Sequence, residues 1–184
     1  MWLEPDDEGW RRLIAELAQR HEGATDLTGR PWAEHFRRVA LRLCLRYPAP
    51  ARDQLEAALL HDALMACGGG RDRMQALGLS ETAMEIVRVT TPPPNADYYR
   101  DFRAVTPEDD AGYLDYVHGL VGSGNVAAIE MKLADVCDTI DQMCVLRAPL
   151  ISQQVPNRYE PSRVILENGL AQLWGRGKVV DGSP

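Results

Sequence analysis

The chain has no Cys-x-x-Cys pair; Cys44, Cys67, Cys137 and Cys144 are dispersed among apolar neighbours. That spacing excludes a zinc knuckle and a thioredoxin-like motif, and predicts four small buried hydrophobes in a reducing compartment. No segment approaches the length of a membrane span, and the acidic opening Met1-Trp2-Leu3-Glu4-Pro5-Asp6-Asp7 lacks the basic and apolar regions of an export signal. A cytoplasmic protein is the expectation. Positive charge is in deficit, with 20 Lys and Arg against 27 Asp and Glu for a net charge of -7. Such a field repels nucleic-acid polymers and anionic membranes, so neither is an expected partner. A small phosphorylated ligand stays compatible, because arginines and lysines in a cleft outweigh a distant negative surface that salt screens. Sustained period-two alternation is missing as well, and there is no internal repeat, which removes the sheet folds and the solenoids.

What is present is helical periodicity, in 184 residues that suit a single domain with its own core. Trp10, Leu13, Ile14 and Leu17 mark a first helix that ends near His21-Glu22-Gly23. Pro31 opens a second, whose stripe of Phe36, Val39, Ala40, Leu43 and Cys44 stops before Pro48. A third runs from about Ala51 to Cys67 and breaks at Gly68-Gly69-Gly70. Ser80 caps a helix carrying Met84, Val87 and Arg88 that Pro92-Pro93-Pro94 ends. Thr106-Pro107 starts another through Tyr113, Leu114, Val117 and Leu120. After Gly122-Ser123-Gly124 comes a long helix from about Val126 to Leu146, and a last one from Ser162 to Trp174 precedes a frayed Gly-rich tail. An all-α helical bundle follows, with irregular segments at Pro92 to Phe102 and Pro149 to Pro161 that read as loops over a site.

Histidine is scarce, four in all, and one of them, His61, stands with Asp62 where packing alone would choose leucine. His61 and Asp62 follow the apolar run Ala57-Ala58-Leu59-Leu60, about 100 degrees apart on a helix, so both can reach one ion over the edge between them. His35 lies in Ala33-Glu34-His35-Phe36, and Asp135 in Glu130-Met131-Lys132-Leu133-Ala134-Asp135. Two imidazoles and two carboxylates on three helices are a ligand set for a hydrolytic metal, which needs nitrogen and oxygen donors and a position left for water. Spacing alone leaves that site and a structural polar cluster equally open. Lys132 is one turn before Asp135 and Thr139 one turn after it, so Lys132 can orient Asp135 or touch phosphate. Asp138 is placed to accept from a ligand histidine, although a solvated aspartate is the plainer reading. Arg30, Arg37, Arg38 and Arg71 are candidates for phosphate, or ordinary surface arginines. His21 and His118 are left over, and His118 reads as structural or surface.

The segment Gly29-Arg30-Pro31-Trp32-Ala33-Glu34-His35-Phe36-Arg37-Arg38-Val39-Ala40 resembles the Gly-x-Pro-Tyr-x-x-His-x-x-x-Val-Ala opening of HD-domain phosphohydrolases of the (p)ppGpp hydrolase (Rel/SpoT-like) group. Ala58-Leu59-Leu60-His61-Asp62 resembles their HD motif, and Lys132-Leu133-Ala134-Asp135 their closing Lys-Leu-Ala-Asp. The dipeptide is weak, but the three motifs stand in the family's order and spacing across roughly residues 25 to 146. The resemblance implies one HD domain spanning the chain. It also implies one divalent ion held by His35, His61, Asp62 and Asp135, with Mn²⁺ the commonest choice and Fe²⁺, Co²⁺ or Zn²⁺ as alternatives. Water attack on phosphorus would follow, with Asp62 and Lys132 in catalytic roles and Arg30, Arg38 and Thr139 near the substrate.

Two departures bear on the substrate. The alarmone hydrolases carry a Glu-Asp pair three and four residues past the HD aspartate that assists the attacking water, and this chain has Met65 and Ala66 there. They also carry basic residues about ten positions before the first histidine, where this chain reads Ala24-Thr25-Asp26, and an Asn where it has Thr139. A changed substrate or lost catalysis is implied. The readings are therefore a phosphohydrolase of a nucleotide or other small phosphorylated metabolite, a 5'-nucleotidase-type phosphatase, and a silent nucleotide-binding regulatory domain. The two-iron oxygenase branch of HD proteins is disfavoured because it needs further histidines. Oligomeric state is not legible. If hydrolysis persists, another carboxylate must serve the water, with Glu34, Asp72 or Glu81 nearest in sequence to the motifs. Restoring the acid with Met65→Glu is expected to raise turnover of a family-type substrate, measured by single-substrate kinetics with metal bound; no change would indicate a different mechanism.

Overall fold

In the computed structural model, residues 21–26, 28–47, 50–61, 71–92, 107–145 and 158–179 are described, together with 11, 15, 16, 18 and 19. Most of the first expected helix and the loops at 93–106 and 146–157 lie outside the described residues. Among these residues the chain is all-α, with a single isolated bridge between Thr25 and Pro31.

That bridge closes the turn that launches α1 (Trp32–Arg46). Asp26 builds the turn: its Oδ1 accepts from the Thr28 backbone at 2.9 Å, the Thr28 hydroxyl at 2.7 Å and the Arg30 backbone at 3.1 Å. Gly29 supplies the positive φ of 80° that the reversal requires. The buried face of α1 is His35, Phe36, Val39, Ala40 and Leu43, an i, i+1, i+4, i+5, i+8 stripe. A second helix, α2 (Arg52–Leu60), is buried from Gln54 to Leu60, and Gln54 reaches across the bundle to Glu130 at 2.6 Å and Ala127 O at 3.3 Å. The helical hydrogen bonding ends at Leu60 and His61 is its C-cap, not mid-helix; the extension to Cys67 falls outside the described residues.

A six-residue helix, α3 (Arg71–Ala76), has no counterpart in the sequence reading, since so short a segment carries no measurable period. Ser80 caps α4 (Glu81–Thr90) as expected, accepting from Ala83 N at 3.0 Å while donating to Asp53 at 2.6 Å. α5 (Pro107–Gly122) and α6 (Val126–Val145) follow the predicted pattern, split by the turn at Gly124. α7 (Tyr159–Val179) starts three residues early and runs through Gly175 and Gly177. Pro161 sits in its first turn, where the missing N–H is an orphan anyway, and an existing helix extends without a new nucleus.

α6 is the central element, packed by α1, α2, α4, α5 and α7. It is buried almost without a break from Ala128 to Val136, as a helix surrounded by others must be. The core joins Phe36 and Leu43 of α1, Leu59 of α2, Ile86 of α4, Val117 of α5, Ile129 and Leu133 of α6, and Leu166 of α7. No described helix is long and apolar enough to cross a membrane. Cys44 and Cys137 are half-buried against the core, whereas Cys144, in the last turn of α6, is exposed, against the expectation of burial.

α5 and α7 approach so closely that a Cβ built on Gly169 would lie 2.6 Å and 2.9 Å from the two methyls of Val121. Valine cannot swing aside cheaply at χ1, so the helices would have to part. Gly169→Ala, which gains helix propensity, is nevertheless expected to destabilise by about 1–3 kcal/mol in urea unfolding. Adding Val121→Ala should recover most of the loss.

Candidate metal centre

Each ligand candidate comes from a different structural position. His35 sits on the buried face of α1, His61 caps α2, and Asp135 lies midway along α6. The Nε2 atoms of His35 and His61 face the same oxygen, Asp135 Oδ1, at 3.2 Å and 3.5 Å. One donor atom from each of the three residues lies within 4.8 Å of the others, and all three residues are buried. Asp62 lies outside the described residues, as do Met65 and Ala66.

The outer nitrogens settle which atoms face inward. His61 Nδ1 is 2.8 Å from the Ala58 carbonyl, which can only accept, so Nδ1 carries the proton. His35 Nδ1 is 2.9 Å from Asp138 Oδ2, another acceptor, and is protonated for the same reason. In the neutral imidazoles, the form a metal ligand takes, both Nε2 lone pairs then point at a carboxylate oxygen. Three electron-rich atoms meeting in a buried space repel unless a cation lies among them. Donors about 2.1 Å from a common ion at tetrahedral or octahedral angles are about 3.0–3.4 Å apart, close to the separations present. The residues fit a divalent ion with nitrogen and oxygen ligands.

Burial by itself would raise the Asp135 carboxyl, but the adjacent Lys132 ammonium is the chief opposing influence and the carboxyl lies well below the usual carboxylate range. The group is thus a carboxylate at neutral pH, as ligation requires. Phe36 fills the wedge behind both imidazoles, 5.4 Å from His35 and 5.1 Å from His61, and Trp32 flanks His35 at 5.7 Å.

Asp138 is the hub behind His35. Besides the imidazole, it accepts from Gln142 Nε2 at 2.7 Å, from Arg38 Nε at 3.0 and 3.1 Å, and from Arg42 Nε at 3.2 Å. Burial opposes its ionisation, yet the bonds from His35 and Arg38 prevail and its carboxyl is held far below the ordinary value. Arg38 also binds Asp26 at 2.8 Å, and Arg42 binds Asp141. Arg38, expected near substrate, is thus engaged by two carboxylates, because its stem lies along the face of α1 that meets α6. Arg30 and Arg37 are exposed, Arg71 is exposed and paired with Glu81, and Thr139 is half-buried one turn past Asp135. Glu34, Asp72 and His118 are exposed as well.

On the other side of Asp135, Lys132 Nζ is 2.8 Å from Oδ2 and stands 5.7 Å and 5.8 Å from the ring centres of Tyr113 and Tyr116. Arg158, only 1% exposed, packs against Tyr113 at 4.9 Å and Tyr159 at 5.4 Å. Burial pushes the Tyr113 hydroxyl up to about 12, so it remains a neutral ring between these cations. Gln142 had a legible signal, four residues past Asp138 on one helical face. Arg158 had none, since its burial depends on rings from distant helices.

The fold and the cluster define an all-α helical bundle carrying a His, His, Asp set that could hold a metal ion. The same fold is found in a solved structure described as a metazoan ortholog of SpoT that hydrolyses ppGpp and plays a role in starvation responses, with a TM-score of 0.60 and 17% identity over 94% of this chain and 97% of that one. No protein-family model matches the chain, and no curated protein does.

Asp138→Ala should weaken divalent-ion affinity about ten- to a hundred-fold, because it frees the His35 ring and its tautomer. Loss of the charged hydrogen bonds should also destabilise by about 1.5–3 kcal/mol at neutral pH. With its folded-state carboxyl depressed, the stabilisation from Asp138 is complete above about pH 4 and is lost as pH falls further. Calorimetric metal titration and acid unfolding curves check both, the variant being flatter on the acid side.

Proposed function

We propose that the chain is a divalent-metal-dependent phosphohydrolase acting on a small phosphorylated substrate of the nucleotide class, with alarmones of the (p)ppGpp type as one case. The observation that carries this reading is the convergence of two Nε2 lone pairs on the ionised Asp135 carboxylate, each imidazole fixed from behind. That the fold is shared with a protein described as hydrolysing ppGpp supports the same class of reaction.

His35, His61 and Asp135 would hold the ion, with Asp62, next in the chain to His61, as the fourth ligand; Mn²⁺ is the proposed metal. When bound, it supplies Lewis-acid polarisation of a phosphoryl oxygen and lowers the pKa of water at the site. The chain's own part is to keep these donors deprotonated and oriented. Buried Phe36 and Leu60 keep bulk water from the rear of the site, which strengthens its electrostatics. Exposed Arg30, in the turn before α1, and Thr139, one turn past Asp135, are the proposed substrate contacts. Arg38 Nε and Nη2 are held by Asp138 and Asp26, which leaves Nη1, buried without a hydrogen-bond partner among the described residues, as the atom through which Arg38 is proposed to meet substrate.

Asp26 stands where the alarmone hydrolases place basic residues, and Met65 and Ala66 where they place two acids. Both changes favour a substrate other than the alarmones, bound with less positive charge. A panel of nucleoside mono-, di- and polyphosphates is the direct test, with Mn²⁺ and with chelator, reading phosphate and pyrophosphate separately. Phosphate release from monophosphates would mark a 5'-nucleotidase-type enzyme. Metal binding without any turnover would mark a regulatory nucleotide-binding domain. Wild-type stability should rise by about 2.7 kcal/mol at Mn²⁺ a hundred-fold above its Kd. His61→Ala with Asp62→Ala should abolish both that response and hydrolysis; a wild-type melting temperature indifferent to Mn²⁺ and to chelator would refute the metal reading.

A further inference from the structure

Lysine 132 is a charged side chain in an unusual place, 2% exposed in the middle of the central helix. Burying an ammonium is costly unless its charge is answered, and here one partner is the site carboxylate, Asp135 Oδ2, at 2.8 Å. The two aromatic faces of Tyr113 and Tyr116 lie within cation–π reach. Tyr116 is itself fixed, donating its hydroxyl hydrogen to the Thr90 carbonyl at the end of α4. Tyr113 is fixed by Arg158 and the ring of Tyr159, 6.0 Å away. The ammonium is therefore aimed at one oxygen of Asp135 while both histidines face the other.

We infer that Lys132 is a positioning residue that holds Asp135 Oδ2, so that the carboxylate offers a bound ion Oδ1 alone. The inference rests on the metal-site reading above. A carboxylate free to rotate can bind an ion through both oxygens, which takes up one more coordination position. Hydrolytic metals need a position left for water. Lys132 keeps it open by occupying the second oxygen, and its burial between rings makes it a fixed part of the site and not a contact for substrate phosphate.

Cobalt provides the test, because the visible absorption of Co²⁺ is intense at four-coordinate and weak at six-coordinate sites. Wild-type protein, Lys132→Met and Lys132→Arg are titrated with Co²⁺ alone after their melting temperatures without metal confirm folding. Wild type should bind one Co²⁺ per chain; failure to do so refutes the metal reading and this inference with it. With wild type binding, Lys132→Met should bind about ten- to a hundred-fold more weakly, with a less intense, shifted spectrum. Lys132→Arg, which retains a donor for Oδ2, should keep the wild-type spectrum. A wild-type spectrum and affinity in Lys132→Met would overturn the inference alone. If the methionine variant does not fold, a folded Lys132→Arg that loses the wild-type spectrum overturns it equally.

Discussion

Two imidazole lone pairs and a carboxylate oxygen are brought to one buried point, and the rest of the molecule is organised around that electrostatic constraint. Nothing in packing favours such a meeting, since each group loses hydration and faces others of like polarity. Every outer atom of the three ligands is accordingly held: His61 by the Ala58 carbonyl, His35 by Asp138, and Asp135 by Lys132. The force that brings them together is apolar. Leu59 and Leu60, Phe36 and Val39, and Leu133 and Val136 are buried beside the ligands on α2, α1 and α6, so burying the stripes also delivers the donors. α6 supplies Asp135, Asp138 and Lys132 from its most enclosed stretch, which is why that helix must be surrounded on nearly all sides.

The positive charges near the site are mostly spent inside the protein. Arg38 bridges Asp138 to Asp26, and Arg42 bridges Asp138 to Asp141. Asp26 shapes the turn before α1 and anchors Arg38 across it, so this acidic residue has structural work in the chain. Two of the three Arg38 guanidinium nitrogens are committed in this way, and the third, Nη1, is buried without a hydrogen-bond partner among the described residues. The network therefore fixes the guanidinium while leaving it one donor for a further acceptor.

Much of this was readable from local pattern. α4, α5 and α6 announce themselves by periodicity, by the Ser80 cap and by the glycine break at 122–124, all of which act over a few residues. His35 and Asp135 were legible because polar groups interrupt apolar stripes there. Other features depend on tertiary placement. Pro161 reads as the end of an irregular segment, yet it sits inside the first turn of α7, where proline is tolerated. Arg38 reads as a surface or phosphate arginine until α6 brings Asp138 beside it. Arg158 follows no helical period, and its burial is decided by Tyr113 and Tyr159. Cys144 belongs to an apolar run in sequence but faces outward in the last turn of α6. Both residues of the His61-Asp62 dipeptide are legible in the sequence, whereas the structure describes His61 and Asp62 lies outside the described residues.

The two histidines are fixed by partners of different kinds, and that difference sets how the site can be altered. His61 relies on a backbone carbonyl three residues earlier, part of the same helix end. No side-chain substitution removes that acceptor, so the orientation of His61 is inherited from the fold of α2. His35 relies on a side chain 103 residues away, itself contested by Gln142, Arg38 and Arg42. A carboxylate shared among four donors gives each a smaller share of its charge than it would give one alone. The orientation of His35 thus depends on a charged network that extends through Arg42 to Asp141, while that of His61 depends on the backbone alone. The cluster joins one imidazole fixed by its own helix end to another fixed by side chains of α1 and α6.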